Sequence, residues 1–183
     1  MPELGSLLLY HARAAMTQHL GLPITPCTDD LPELHRFGAT FVTLTQRGDL
    51  RGCIGSLVAH RPLLEDVRRN ACNAAFSDPR FPPLGADELA GTRVEVSLLT
   101  PPEPLRFKDE TDARAQLRPH VDGVIFSAHG QRSTFLPQVW EQLPDPADFL
   151  AHLKTKARLP ADYWGADVCL ERYQVRKWKE GAA

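Results

Sequence analysis

The sequence predicts an α+β protein whose mostly antiparallel sheet is flanked by helices. Two segments, 41–58 and 121–136, have the strand, turn, strand pattern of a β-hairpin. Helical segments fall between the strands, but without the strict alternation that a doubly wound parallel sheet requires. The 183 residues are enough for one domain with a sizeable core, and we treat 1–183 as a single domain.

The chain begins with an amphipathic helix, in which Leu4 and Leu8 fall on one face. The first hairpin follows. β-Branched and aromatic residues at 41–45 predict a strand, and Gln-Arg-Gly-Asp at 46–49 predicts a tight turn. A second extended segment is expected over 50–58.

A helix is predicted over 61–76, with Pro62 in its first turn and an alanine-rich end. Small side chains at that end would allow the helix to pack closely against a sheet. Asp78 and Pro79 end the helix, because the residue before a proline disfavours helical geometry.

The second half of the chain shows the same two patterns. Side-chain alternation predicts a strand at 92–100 and a last strand at 168–178. Helices are expected at 111–118 and 146–157, with the second hairpin, 121–136, between them.

Composition favours a cytoplasmic protein with reduced thiols. The sequence is 43% hydrophobic and 24% charged, with a formal net charge of −2, which gives no general attraction to nucleic acid or anionic lipid. No apolar run is long enough to span a membrane. The four cysteines are widely spaced and accompany no secretion signal, so no disulfide framework is expected.

The first hairpin contains an unusual hexapeptide, Leu-Arg-Gly-Cys-Ile-Gly at 50–55, in which two glycines flank a cysteine. Side chains alternate along a strand, so Leu50, Gly52 and Ile54 share one face. We expect this face to pack on the core, with Gly52 leaving room for the alanine-rich end of the following helix.

Arg51, Cys53 and Gly55 share the opposite face, where Gly55 is expected to leave an open gap beside the thiol. A nearby guanidinium favours the reactive thiolate, and arginine suits carboxylate or phosphate recognition. We predict Cys53 as a catalytic thiol and Arg51 as an anion anchor, with Gly52 and Gly55 as part of the ligand site. The alternative is a structural cysteine between glycines that mark a bulge or close backbone packing.

Asp78 and Arg80 lie on a proline-bounded loop directly after the predicted helix. Charged residues on such a loop suit a binding site, so we predict that both contribute to the ligand site near Cys53. The alternative is that they only organise a turn at the helix end.

Glu95 and Ser97 point to one face of the strand predicted at 92–100. We predict that Glu95 orients Arg51 or acts as a general base for Cys53, and that Ser97 contributes to ligand binding. The alternative is a cross-strand pair at the sheet surface.

Motifs for metals and cofactors are absent from the sequence. The seven histidines form neither an H-x-H nor an H-E-x-x-H pattern, so no metal site is predicted. A glycine-rich phosphate loop and a G-x-S-x-G segment are also missing, and no cofactor is predicted.

Four segments, taken together and in order, resemble the AMME syndrome candidate gene 1 protein family. They are LRGCIGSL, AAFSDPRFPPL, VEVSLLTPPEPL and LPQVW. Prokaryotic members of this family are called AmmeMemoRadiSam system protein A. The resemblance extends from about residue 5 to residue 178.

The resemblance implies an α+β fold with a larger and a smaller lobe, and association with a Memo-like protein and a radical SAM protein. It implies no established activity. The family's hexapeptide corresponds to 50–55, its D-P-R-F run to 78–81 and its E-x-S-x-L strand to 95–99. The chain departs from the family at 133–135. It also departs at Arg158, where family members usually have glycine, so the residue that commonly forms a helix C-cap is missing.

Three functional hypotheses remain open at this point. The first is a small enzyme or catalytic subunit that acts on a small anionic ligand through Cys53. The second is a non-catalytic adaptor whose LRGCIG and DPRF segments bind a protein partner. The third, a nucleic-acid-associated protein, is disfavoured by the near-neutral charge.

Overall fold

The structure is a computed structural model and describes residues 3–181. In chain order its helices are α1 Leu4–His19, α2 Leu63–Phe76, α3 Glu110–Gln116 and α4 Pro146–Lys156. Its strands are β1 Ala39–Gln46, β2 Asp49–Gly55, β3 Thr92–Leu99, β4 Glu103–Pro104, β5 Gly123–Ala128, β6 Gln131–Phe135, β7 Cys169–Tyr173 and β8 Val175–Lys179. The strands form two antiparallel sheets, which confirms the predicted α+β class.

Packing divides the chain into two compact units. Within the described residues, one unit holds 3–99 and 176–181, and the other holds Thr100–Val175. Between residues 3 and 181, no helix has both the length and the apolar character needed to cross a bilayer.

The first unit is a four-stranded sheet with the order β2-β1-β3-β8, covered on one face by α1 and α2. Alternate residues of its central strands face the helices and are fully buried; these are Val42, Leu44, Val94 and Val96. Residues between them therefore point to the opposite face of the sheet. β2 is an edge strand, so one side of its backbone has no neighbouring strand within the sheet.

Both predicted hairpins are confirmed, and both turn through left-handed residues. Arg47 and Gly48 have φ angles of 52° and 89°, and His129 and Gly130 have 50° and 69°. Positive φ at both central residues is the signature of the two-residue turn that matches strand twist.

A buried polar network joins the start of β1 and the end of β2 to α2. The Asp66 carboxylate accepts hydrogen bonds from the Thr40 backbone N–H at 2.8 Å and from the Ser56 hydroxyl at 2.7 Å. Asn70 donates to the same carboxylate at 3.0 Å. Because every member is buried, the network fixes β2 against the helix.

The second unit is a sheet with the order β4-β7-β5-β6, on which α3 and α4 pack. Trp140 stacks on Phe149 of α4 with ring centroids 3.7 Å apart. Its indole N–H donates to the Asp122 carbonyl at 2.7 Å, so the polar end of this buried ring is satisfied.

The prediction of one last strand over 168–178 is wrong. This segment forms two strands in different sheets, β7 and β8, with Gln174 between them. The Gln174 carbonyl accepts a hydrogen bond from the Thr100 N–H at 2.8 Å instead of continuing a ladder. Side-chain alternation reports an extended backbone, but it does not report which sheet that backbone joins.

Candidate functional site

Cys53 lies on the face of the first sheet that the helices leave uncovered. It is opposite Thr43 of β1, and Thr43 is opposite Glu95 of β3. The three side chains therefore form a row across three strands, out of phase with the buried residues Val42 and Leu44. The structure brings the predicted thiol and the predicted carboxylate to the same face.

The Cys53 thiol is half-buried and has a close hydroxyl neighbour. Its Sγ lies 3.3 Å from Thr43 Oγ1, and either atom can be the donor. Thr43 also separates Cys53 from Glu95, since neighbouring strands place their side chains about 5 Å apart. Direct proton transfer between Cys53 and Glu95 would therefore need Thr43 or a bound molecule in between.

Gly52 occupies the close contact that the sequence predicted. A Cβ built at this position would lie 2.1 Å from the carbonyl oxygen of Ala74, near the alanine-rich end of α2. No side chain fits there without separating strand and helix, because the obstacle is backbone. Gly52 acts through packing, and it holds the Cys53 strand against α2.

The expected open gap at Gly55 is absent, because Phe41 fills it. Phe41 is the cross-strand partner of Gly55, and a Cβ at Gly55 would lie 2.2 Å from Phe41 Cγ. Ser97, the partner of Phe41 on β3, is 7% exposed. The prediction of an empty space beside the thiol is therefore wrong, since an aromatic ring from the neighbouring strand covers the glycine.

A β-bulge at Arg51 changes the predicted arrangement of the strand. Leu44 is opposite Gly52 and Thr45 is opposite Leu50, which leaves Arg51 as the extra residue. The bulge shifts the alternation, so Leu50 is 43% exposed rather than buried in the core as predicted.

Arg51 is bound to a carboxylate outside the expected site. Its Nε and Nη2 donate to Glu88 Oε1 and Oε2 at 3.0 and 3.1 Å, and its side chain is 9% exposed. These bonds, with a smaller contribution from the Gly85 N–H, lower the pKa of Glu88 to about 2. The expectation that Glu95 orients Arg51 is wrong, because Glu88 has that role.

Asp78 and Arg80 reach the Cys53 strand, as predicted. The Cys53 N–H donates to Asp78 Oδ2 at 2.9 Å, and Arg80 Nη2 donates to the Cys53 carbonyl at 3.3 Å. Arg80 also binds the Asp78 carboxylate through Nε at 3.0 Å and Nη2 at 2.7 Å. The ion pair thus satisfies both backbone groups that Cys53 presents at the free edge of β2.

The exposed guanidinium at this site belongs to Arg80. The Asp78 side chain is almost fully buried, while that of Arg80 is 53% exposed. Hydrogen bonds from Arg80, with smaller contributions from the backbone N–H groups of Cys53 and Arg80, hold the pKa of Asp78 well below its usual range. The pKa of Arg80 is raised, first by its hydrogen bonds to Asp78 and further by the negative charge of Asp78.

Three residues at or beside the site were not identified from the sequence. Thr43 and Phe41 face Cys53 and Gly55 only because of the bulged register, and Glu88 reaches Arg51 across 37 residues of chain. Phe81, within the DPRF run, lies with its ring centroid 5.5 Å from the Arg80 guanidinium carbon.

Within residues 3–181, no three His, Cys, Asp or Glu side chains gather closely enough to hold a metal ion.

Comparison with known proteins supports the resemblance found in the sequence. A family model described as AMMECR1 matches residues 9–178. A protein of Methanothermobacter thermautotrophicus is 39% identical over 180 residues, covering 96% of this chain and 94% of that protein. A protein of Saccharolobus solfataricus is 38% identical, covering 97% of this chain and 82% of that protein. A crystal structure of an uncharacterized protein from Pyrococcus horikoshii matches with a TM-score of 0.78 and 34% identity, covering 96% of this chain and 91% of that chain.

Proposed function

We propose that this chain, which belongs to the AMMECR1 family, uses the Cys53 thiol as a reactive centre with Arg80 as the neighbouring anion anchor. The observation that carries the proposal is the contact of one exposed guanidinium with the backbone of a half-buried cysteine. The anchor differs from that of the sequence-based hypothesis: Arg80 replaces Arg51, because Arg51 is occupied by Glu88.

The arrangement favours a small ligand that carries a carboxylate or phosphate and an electrophilic atom. Arg80 is held by Asp78, so its orientation is fixed before a ligand arrives, and about half of its surface remains available. Thr43 Oγ1 can accept a hydrogen bond from the thiol or donate one to the sulfur. Glu95, one strand further along the same row, is the nearest carboxylate in the row to receive a proton through a bridging group.

Alkylation by iodoacetamide tests the proposal. The sulfur displaces iodide, the thiol proton is released to solvent, and the product is counted at each cysteine by mass spectrometry. Arg80→Gln should slow alkylation of Cys53 about fivefold, the effect of losing about 1 kcal/mol of charge stabilisation. Arg80→Lys should keep most of the rate, because it keeps the positive charge.

A matched control separates the local effect from a change of net charge. Arg69→Gln removes the same charge from an exposed position on α2 and should leave the Cys53 rate unchanged. Equal rates in wild type, Arg80→Gln and Arg69→Gln would exclude Arg80 as the anchor. Equal slowing by Arg80→Gln and Arg80→Lys would assign Arg80 a purely structural role.

A second candidate function, an adaptor, is supported by apolar side chains that follow the Cys53 strand. Leu57 and Val58 are 44% and 52% exposed, directly after β2. Exposed apolar residues that lie close together favour protein association. The family resemblance supplies the partner classes to test, a Memo-like protein and a radical SAM protein from the same organism.

Binding measurements with the two purified partner classes distinguish the functions. The adaptor function predicts that Leu57→Ser with Val58→Ser weakens binding at least tenfold, while Cys53→Ala has no effect. Leu22→Ser, at an apolar residue that is 37% exposed elsewhere, is the matched control. Absence of binding to both partner classes would contradict the adaptor function.

A further inference from the structure

A cavity of about 300 Å³ opens in the second unit. It lies beyond the end of α3, where Arg172 of β7 donates to the Gln116 carbonyl. Two guanidinium groups, from Arg118 and Arg172, line the cavity together with the carboxylates of Asp122 and Glu103. Its volume is at the lower end of the range found for small-molecule sites.

Arg118 is held in place by a buried carboxylate. Asp122 is fully buried and accepts bonds from the Arg118 backbone N–H at 2.9 Å and from its Nη2 at 2.7 Å. The hydrogen bonds that Arg118 donates to Asp122 raise the pKa of Arg118, and the charge of Asp122 adds to this effect. Nη1 of Arg118 makes no hydrogen bond to any residue between 3 and 181, so one donor group remains for a ligand.

Arg172 is less occupied than Arg118. Its one side-chain hydrogen bond within the described chain joins Nη1 to the Gln116 carbonyl at the long distance of 3.4 Å. Glu103 is its cross-strand partner on β4, but no carboxylate among residues 3–181 lies within 4.0 Å of the Arg172 guanidinium. Its Nε and Nη2 are therefore without a protein acceptor in that part of the chain.

The other polar groups of the cavity are already used or face solvent. The phenol of Tyr173 is engaged by the Thr134 hydroxyl and the Phe135 carbonyl, both at 3.1 Å. The charge of Asp122 is compensated by Arg118, and Glu103 is exposed at the rim. Unused donors on two guanidinium groups remain as the principal recognition feature.

We infer that this cavity binds the carboxylate or phosphate group of a small ligand between Arg172 and Arg118. Guanidinium groups match the paired oxygens of both anions, and the Asp122 contact fixes one guanidinium in advance. The inference involves residues of the second unit alone, and it does not depend on the function proposed for Cys53.

Nuclear magnetic resonance titration of the full-length protein tests the inference, with inorganic phosphate and citrate as separate probes at constant ionic strength. A bound anion should cause saturable shifts of the Arg118, Asp122 and Arg172 backbone amides. Saturation by phosphate alone identifies a phosphate ligand, and saturation by citrate alone identifies a carboxylate ligand. Binding of both supports a general oxyanion site.

Three variants assign the binding to the cavity. Arg172→Gln should raise the Kd at least fivefold, whereas Arg106→Gln, an exposed arginine of the same unit outside the cavity, should not change it. Glu103→Gln should lower the Kd about twofold, because it removes a negative charge from the rim. Arg118 is left intact, since its removal would strand the buried Asp122 charge.

The inference is overturned if neither anion produces saturable shifts at these amides. It is also overturned if Arg172→Gln and Arg106→Gln have equal affinities, because the binding would then follow total charge. The dispersion of amide signals far from the cavity shows in the same spectra that each variant is folded.

Discussion

The Asp78 carboxylate accepts a 2.9 Å hydrogen bond from the backbone N–H of Cys53. Arg80 completes the contact by donating to the Cys53 carbonyl, so an ion pair takes the place that a further strand would occupy. An unprotected edge strand favours pairing with other chains. The DPRF loop thus protects the edge of β2 and at the same time brings the Arg80 guanidinium to the backbone carbonyl of Cys53.

The first prediction concerns this ion pair. Asp78→Ala removes a buried acceptor from both Cys53 and Arg80, and we expect it to lower the free energy of unfolding by about 3 kcal/mol. Asp87→Ala, an exposed carboxylate in the loop that follows, should change it by less than about 0.5 kcal/mol. Urea denaturation measures both, and equal stability of the two variants would show that the Asp78 contact is not stabilising.

The second prediction tests the close approach at Gly52. Gly52→Ala places a methyl group against the Ala74 carbonyl, and it should destabilise the protein by about 3 kcal/mol. Gly91→Ala is the matched control, because a Cβ there meets no atom within 4 Å. Thermal unfolding should show a lower midpoint for Gly52→Ala alone; similar midpoints would mean that strand and helix are not in tight contact.

The third prediction is a pH dependence due to Glu88. Its pKa is lowered from 4.5 to about 2, chiefly by Arg51, so the folded state favours the ionised form. The resulting stability is fully present above pH 4.5 and is lost as the pH falls through about 2. Glu88→Gln should be less stable than wild type at pH 6, and the difference should shrink between pH 4.5 and 2. A difference that stays constant over this range would contradict the Arg51–Glu88 contact.

The fourth prediction concerns the end of α4. Arg158 has a φ of 63°, and the following Leu159 N–H donates to the Lys154 carbonyl, which is the geometry of a glycine-type helix end. The helix C-cap therefore forms although glycine is missing, and the backbone of Arg158 adopts the left-handed conformation. Arg158→Gly should raise the free energy of unfolding by about 1 kcal/mol, and Arg158→Ala should not. Equal effects of the two changes would attribute any gain to loss of charge instead.

Much of the fold and part of the site followed from local patterns in the sequence. Turn residues identified both hairpins, and Gly52 with the alanine-rich helix end predicted the close contact between strand and helix. The placement of Asp78 near Cys53 agrees with the prediction that charged residues on a proline-bounded loop suit a binding site.

The remaining features depend on register, which a single strand does not reveal. With Gln46 opposite Asp49, an uninterrupted hairpin would place Thr43 opposite Gly52; the bulge at Arg51 places it opposite Cys53. That one-residue shift also brings Phe41 over Gly55 and exposes Leu50. The Arg51 partner, Glu88, comes from a distant segment and carries no local signal.

The most direct measurement of the central claim compares the alkylation rate of each cysteine in the native protein with its rate in urea. We predict that native Cys53 reacts with iodoacetamide at least as fast as unfolded Cys53, because its thiol is only half-buried, lies beside the Thr43 hydroxyl, and belongs to the residue whose carbonyl binds the Arg80 guanidinium. Cys72 is the internal control: it is half-buried on α2, and burial raises its pKa, so folding should slow its reaction. If Cys53 is slowed by folding as much as Cys72, it is a structural cysteine and the proposed reactive centre is wrong.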